Sequence, residues 1–311
     1  MGTPHFAVEP LKAIVEMGWN VSAVVTVPDK PAGRGQKIAE SPVKTYALQN
    51  GLSILQPEKL KNESFIELLK ALKPDIIVVV AFRMLPEAVW QIPSIGTFNL
   101  HASLLPQYRG AAPINWAIIN GENKTGITTF LIDKEIDTGK VLFREEIAIG
   151  ETDTAGALHD KLMVQGGALV VKTIEALCNG KVEPTLQHNL IDTNSALKPA
   201  PKLFKETCKI NWENNSTSIF NLIRGLSPYP CAWSNLTLPD GTSTTAKIVR
   251  AQLLQLTSSG AGNVDVNGKN LSVSCGNGSV IITQIQPAGK KVMEAAEFLR
   301  GLRGTGNLNF W

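Results

Sequence analysis

The sequence predicts a two-part α/β fold: an open, mostly parallel sheet with helices on both faces, followed by a small C-terminal β-barrel. Three observations predict it. Strand-like and helix-like segments alternate through the first two-thirds of the 311 residues, the order that right-handed β-α-β crossovers require. The run "DIIVVVAF" (75–82) is apolar at successive positions, and so on both faces, as a central strand covered by helices must be. From about residue 186 this alternation stops, and short alternating runs divided by Gly and Asn turns take over.

Taken in order, Phe6 to Met17 has helical spacing and stops at Gly18. "NVSAVVTV" (20–27) is β-branched and reads as a strand, and "PDKPAGRGQK" (28–37) as a basic loop rich in Gly and Pro. A short helix is expected from Ser41 and another opened by Asn62 as its N-cap. "GTFNLH" (96–101) and "GITTFLID" (126–133) are further strands, with "APINWAIIN" as a helix between them. Thr154 to Cys178 is a long helix closing at Asn179-Gly180. "HNLIDTNSALKPAPKLFKE" lacks apolar periodicity and reads as a linker. A helix over Ser216 to Arg224 and the runs "AKIVRAQLLQL", "NLSVSC" and "SVIITQI" make up the second part.

Composition excludes several classes. No apolar run is long enough to span a bilayer, and "MGTPHFAVEPLK" has no signal-peptide pattern, so the cytoplasm is expected. The four cysteines are scattered without a C-x-x-C pair, and the four histidines are dispersed, so neither a disulfide framework nor a metal site is expected. "GRGQKI" (33–38) lacks the third glycine of a dinucleotide fingerprint, and no phosphate-cradling P-loop occurs. Residues 201–311 hold eleven Lys/Arg against six Asp/Glu, whereas residues 1–200 hold nineteen against twenty-one. A basic C-terminal part suits a polyanionic partner, although a solvated lysine-rich face is the commoner meaning of such a bias.

The chemistry concentrates in "FNLHASLLPQYRGAAP" (98–113). In open α/β sheets, ligands bind beyond the carboxyl ends of the strands. His101 and Ser103 follow the end of one strand, Arg83 to Leu85 that of another, and Asp133 and Asp137 that of a third. A carboxamide such as Asn99 can donate to a developing oxyanion, and an imidazole can move a proton. An aspartate can fix the imidazole tautomer. No activated Ser or Cys and no G-x-S-x-G elbow accompanies them, so the set suits direct acyl transfer to an external nucleophile. Any one of these residues alone would more often be structural.

The stretch 98–113, with "IDTG" placing Asp137 thirty-eight positions after Asn99, resembles the folate-dependent formyltransferase family. "GTPHFA" (2–7), "PDKPAGRGQK" (28–37), "HASLLPQYRGAAPINWAIINGE" (101–122) and "QPAGKKVM" (286–293) extend the resemblance over nearly the whole chain. It implies a Rossmann-like sheet, an OB-like barrel, and formyl transfer from 10-formyltetrahydrofolate to the α-amino group of methionine on initiator tRNA. It further implies Asn99, His101 and Asp137 as the catalytic trio. Ser103, Leu104, Leu105 and Pro106, with Met84 and Leu85, would form the folate-binding surface. Arg34 and Lys37 would close on the acceptor end of the tRNA, and Lys290 and Lys291 would grip its phosphates. The expected division is a catalytic domain over 1–187, a linker over 188–204 and a tRNA-binding barrel over 205–311. A monomer, without membrane association or metal, is expected. Two departures stand out: the family carries a full strand before "GTP" where here only Met1 precedes Gly2, so that central strand is expected to be missing, and Arg83 stands where many members have a small residue. A formyltransferase acting on a nucleotide-sugar amine would share the trio, while a non-catalytic folate- or RNA-binding protein would have no need of it.

Overall fold

The computed structural model describes residues 1–32, 37–191, 196–254 and 260–311. They form two compact units. The first comprises Met1–Gly110, Thr125–Ile147 and His159–Pro199; the second comprises Ala111–Lys124, Ala148–Leu158 and Ala200–Trp311.

In the first unit a single 3-10 turn, His5–Ala7, leads into α1 (Val8–Glu16), which gives way at Gly18 in the left-handed region (φ +75°). The strand expected over 20–27 is shorter than its β-branched composition suggests. Only β1 (Val24–Val25) finds ladder partners, in β4 (Ile54–Leu55), because strand length is decided by pairing as well as by propensity. Met1 and Gly2 continue this layer: Gly2 N donates to Val25 O and Val80 N to Met1 O. A cavity of about 490 Å³, lined by Ile14, Trp19, Val24, Ile76 and Ile174 among others, lies in the same unit.

Residues 28–39 contain a hairpin where a loop is expected. β2 (Lys30–Ala32) pairs antiparallel with β3 (Lys37–Ala39); the tip, including Arg34, lies outside the described residues, as does the Lys37 side chain. Its base is held by charge. Lys44 of α2 (Pro42–Gln49) contacts Asp29, just before β2, and Glu40, just after β3, the latter at 2.9 Å. Gln56 donates to the other Asp29 oxygen at 2.8 Å. The Lys44 hydrogen bond, aided by Gln56, holds the Asp29 carboxyl below the usual carboxylate range, and Asp29 in turn raises the Lys44 ammonium. A depressed carboxyl stabilises above its unfolded pKa and loses that contribution as pH falls through its folded value; a raised ammonium stabilises below its unfolded pKa. Amide exchange in the hairpin should therefore be flat from about pH 5 to 9 once the intrinsic exchange rate is divided out, and rise only in stronger acid. A midpoint near pH 6 would show that this clamp does not hold the hairpin.

Asn62 caps α3 (Glu63–Ala71) by accepting from Ser64 N at 3.0 Å, as its residue type requires. β5 (Ile76–Val80) pairs parallel with β6 (Gly96–His101), while the short α4 (Glu87–Trp90) lies between them in sequence. The sheet is mixed beyond that point. β6 pairs antiparallel with β7 (Lys124–Leu131), which neighbours β8 (Val141–Ala148), a strand that the sequence pattern does not announce. The long helix α6 (Ala155–Cys178) packs on β6 through a glycine: a Cβ at Gly166 would lie 2.7 Å from Leu100 Cδ2. This close approach seats the C-terminal end of β6 against α6.

The second unit gathers α5 (Pro113–Ile119) with α7 (Ser216–Leu226), capped by Asn215. They meet at Gly225, where a Cβ would stand 2.7 Å from Ile119 Cγ1. Buried Arg224 donates to Asn221 Oδ1 (2.8 Å) and to the carbonyls of Gly150 (3.1 Å) and Asp153 (3.2 Å). Arg224→Ala removes the donor from these acceptors, so a loss of about 2 kcal/mol is expected in denaturant unfolding of the whole chain. A change below about 0.5 kcal/mol would contradict this role.

The barrel-like sheet has the order β11 (Val264–Asn267), β12 (Asn270–Ser274), β13 (Ser279–Pro287), β10 (Ser243–Leu254), β9 (Ala232–Thr237), β15 (Asn309–Phe310), with β14 (Met293–Glu294) beside β13. Its two ends approach each other, since Phe310 N donates to Gly262 O at 3.0 Å and Asn263 bridges Asn309. Ile210, Ile219, Leu236, Ile248, Val280 and Ile282 fill the interior, with α8 (Ala295–Arg300) supplying Phe298. The three runs read from the sequence fall on β10, β12 and β13. β9, β11 and α8 have no counterpart in that reading: β9 buries Ala232 and Ser234 and leaves Trp233 half-buried, which blurs its alternation, and β11 (4 residues) and α8 (6 residues) are too short for a period to show.

Candidate active site

Strand pairing delivers the chemistry. Asn99 stands opposite Val79 of β5 and Phe130 of β7, and His101, at the last position of β6, stands opposite Thr128. Two residues apart on a strand, Asn99 and His101 share one face of the sheet. His101 is buried and Asn99 half-buried. Among the described residues the Asn99 carboxamide donates no hydrogen bond, so its N–H groups are available to a ligand.

His101 Nε2 lies 2.8 Å from the carbonyl oxygen of Tyr108. A carbonyl only accepts, so Nε2 carries the hydrogen, and in the neutral ring Nδ1 presents a lone pair. The tautomer is therefore set by a backbone carbonyl rather than by the aspartate expected to do so. Asp137 Oδ2 lies 3.8 Å from Nδ1, too long for a direct hydrogen bond but close enough for both atoms to contact one amine or water. Gly110 N donates to the same Asp137 oxygen at 3.0 Å and aims it. Tyr108 (φ +58°) and Asp137 (φ +56°) both adopt left-handed backbone. Such conformations cost about 1–3 kcal/mol each for a non-glycine residue and persist where surrounding contacts impose them. Here they point a carbonyl and a carboxylate toward one imidazole. Asp133, the other strand-end carboxylate, is exposed and accepts from Lys134 N, away from this constellation.

The segment after His101 is held from within. Ser103 is fully buried and donates to Gln107 O at 2.6 Å; Thr128 donates to Ser103 O (2.6 Å) and accepts from Leu105 N (3.1 Å). Arg144 donates to Leu105 O at 3.0 Å. Leu85, Leu105 and Pro106 are buried, Leu104 is half-buried and Met84 is exposed. Met84 and Leu104 are the members of this group with side-chain surface to offer. Arg83 turns back onto the carbonyls of Pro57 and Glu58 through its two terminal nitrogens, while its buried Nε has no hydrogen-bond partner among the described residues.

Arg109 and Gln187 belong to the site as well. Arg109 stands in the stretch 98–113, but nothing in its spacing reveals a partner seventy-eight residues away. Gln187 stands just before the segment read as a linker and is buried at the start of a 3-10 turn, Gln187–Leu190, that runs into that segment. Lys290 and Lys291 sit exposed in the turn between β13 and β14, without an acidic partner among the described residues. No group of three His, Cys, Asp or Glu among the described residues is placed to hold a metal ion.

This chain matches the formyl transferase family over residues 1–174 and the formyl transferase C-terminal domain over 202–303. It is 52% identical over 305 residues to a methionyl-tRNA formyltransferase of Bacteroides thetaiotaomicron, covering 97% of this chain and 94% of that protein. With a methionyl-tRNA formyltransferase of Flavobacterium johnsoniae it shares 51% identity over 303 residues, covering 97% and 95%. Among solved structures, an N-formyltransferase from Helicobacter canadensis in complex with folinic acid and dTDP-3-aminofucose is similar in fold (TM-score 0.64, 22% identity, 92% of this chain and 97% of that one). The sugar 3N-formyl transferase WlaRD is similar to the same degree (TM-score 0.65, 22% identity, 93% and 97%). With both family domains matched and half the residues identical to these relatives, the chain belongs to the formyl transferase family.

Proposed function

We propose that this protein transfers a formyl group from 10-formyltetrahydrofolate to the α-amino group of methionine on initiator methionyl-tRNA. The observation that carries the reading is the convergence of Asn99, His101 and Asp137 at one strand end, with the Nδ1 lone pair of His101 facing a carboxylate. The neutral methionyl amine attacks the formyl carbon, and Asn99 donates to the oxygen as negative charge develops there. His101 Nδ1 accepts the proton that the attacking nitrogen must lose. Asp137 stabilises the imidazolium so formed and steers a water that returns a proton to the departing folate nitrogen. Met84 and Leu104 offer apolar surface to the folate ring, and the buried Leu85, Ser103, Leu105 and Pro106 hold that surface in place.

The acceptor's charge is the barrel domain's concern in this reading. Residues 1–187 carry the chemistry, 188–204 connect, and 205–311 bind tRNA, with Arg34 and Lys37 reaching the acceptor end. Lys205 lies 5.2 Å over the Trp233 ring, and Lys209 lies 5.7 Å from both Trp233 and Trp311, a basic and aromatic strip suited to phosphates and exposed bases. Lys290 and Lys291 add two ammonium groups on the same unit. Lys290→Ala with Lys291→Ala should weaken tRNA binding and lower the slope of log K against log salt by somewhat less than one for each phosphate left unneutralised. An unchanged slope removes both lysines from the interface. No helix among the described residues is long and apolar enough to cross a membrane. The protein is proposed to act as a monomer in the cytoplasm.

The test compares acceptors. With 10-formyltetrahydrofolate as donor, charged initiator tRNA should be formylated far faster than charged elongator tRNA, and free methionine scarcely at all. Preferential formylation of a nucleotide-linked amino sugar would move the protein to the sugar-amine branch of the family.

A further inference from the structure

The loop that carries Asp137 is held by a side chain lying between the two family matches. Gln187 is 3% exposed, and its carboxamide is saturated. Oε1 accepts from Arg109 Nε (3.0 Å) and Nη2 (2.7 Å), while Nε2 donates to the carbonyls of Asp137 (2.8 Å) and Gly139 (2.9 Å). A carboxamide has two N–H donors and two lone pairs, so no capacity is left over. These bonds close a ring around the imidazole. Tyr108 supplies the carbonyl that takes His101 Nε2, Arg109 reaches Gln187, Gly110 donates to the Asp137 carboxylate, and Gln187 holds the Asp137 backbone. Three consecutive residues thus touch three members of the site. Both left-handed non-glycine residues of the site, Tyr108 and Asp137, lie within the ring, where they need external contacts to stay as they are.

We propose that Gln187 is a positioning residue, locking segment 108–110 to segment 137–139 so that the Asp137 carboxylate stays beside Nδ1 of His101. The proposal rests on the reading of His101 as the base. Its physical content is that a displacement of about 1 Å at a catalytic group can cost as much as 10²-fold in rate. Substrate contacts are untouched, so the loss falls on kcat and not on KM.

Two substitutions separate the halves of the carboxamide. Gln187→Met keeps the length and removes all four bonds. Gln187→Glu still accepts from Arg109 but cannot donate, and sets a negative oxygen against two carbonyls. Both variants should lower kcat by about 10- to 100-fold with KM for charged tRNA and for the donor within about threefold of wild type. Hydrogen exchange at the Gly110 amide should accelerate in both, a readout that requires no turnover. If Gln187→Glu retains wild-type kcat and Gly110 protection, the hold on Asp137 is not what matters and the proposal falls, whatever Gln187→Met does. A rise in KM with kcat unchanged would also overturn it, as would unaltered Gly110 exchange. Absence of formylation by the wild-type protein would defeat the functional reading instead, while Gly110 exchange in the variants would still report on the ring.

Discussion

Replacing His101 with Ala lowers single-turnover formylation by about 10²- to 10⁴-fold, the contribution of a positioned general base. The expectation follows from three features of the ring: it is buried at a strand end, its Nε2 is committed to Tyr108 O, and its Nδ1 faces Asp137. Only Nδ1 is left to accept a proton, so the rate depends on a basic nitrogen at that atom. His101→Gln, whose Nε2 amide can still donate to Tyr108 O but is not basic, should keep the local fold yet recover little rate. Folate binding measured at equilibrium should change little in either variant. Turnover near the wild-type level in His101→Ala would remove this residue from the chemistry.

Asn99→Ala loses about 10²- to 10³-fold in the chemical step, since one oxyanion donor contributes roughly 3–4 kcal/mol. Asn99 is half-buried between β5 and β7, with its amide free among the described residues, so truncation leaves the sheet intact. Asn99→Asp should be at least as damaging, because it places a negative charge where negative charge develops. An effect confined to KM, with the single-turnover rate preserved, would assign Asn99 to substrate positioning alone.

Sequence and structure part along a physical line. Features carried by local pattern are legible: the apolar run that forms β5, the helix starts at Asn62, Thr154 and Ser216, and the glycine-marked ends at Gly18 and Gly180. His101 and Asp137 do come together, but not through a shared rim of strand ends: β7 runs antiparallel to β6, so its carboxyl end lies opposite Phe98, and the chain that follows it brings Asp137 back to His101. What depends on tertiary partners is not legible. The reach of β1 is set by two pairs in β4, the antiparallel turn at β7 by register with β6, and the hairpin at 30–39 by a lysine on the next helix. Gln187 leaves no trace in its own segment, which is polar and aperiodic; its partners are Arg109, Asp137 and Gly139, all far away in sequence. The imidazole tautomer likewise depends on a backbone carbonyl, which every residue has, and so no side-chain motif could announce it.

The central claim is direct transfer of a formyl group to an external amine with no enzyme-bound acyl intermediate. It is tested most directly by rapid-quench single turnover of the wild-type protein with isotopically labelled 10-formyltetrahydrofolate and charged initiator tRNA. Label should pass from the folate to the methionyl nitrogen with no protein-bound label at any time, as expected of a site built from a carboxamide, an imidazole and a carboxylate. Label appearing first on the protein, or staying on the folate, would contradict the account.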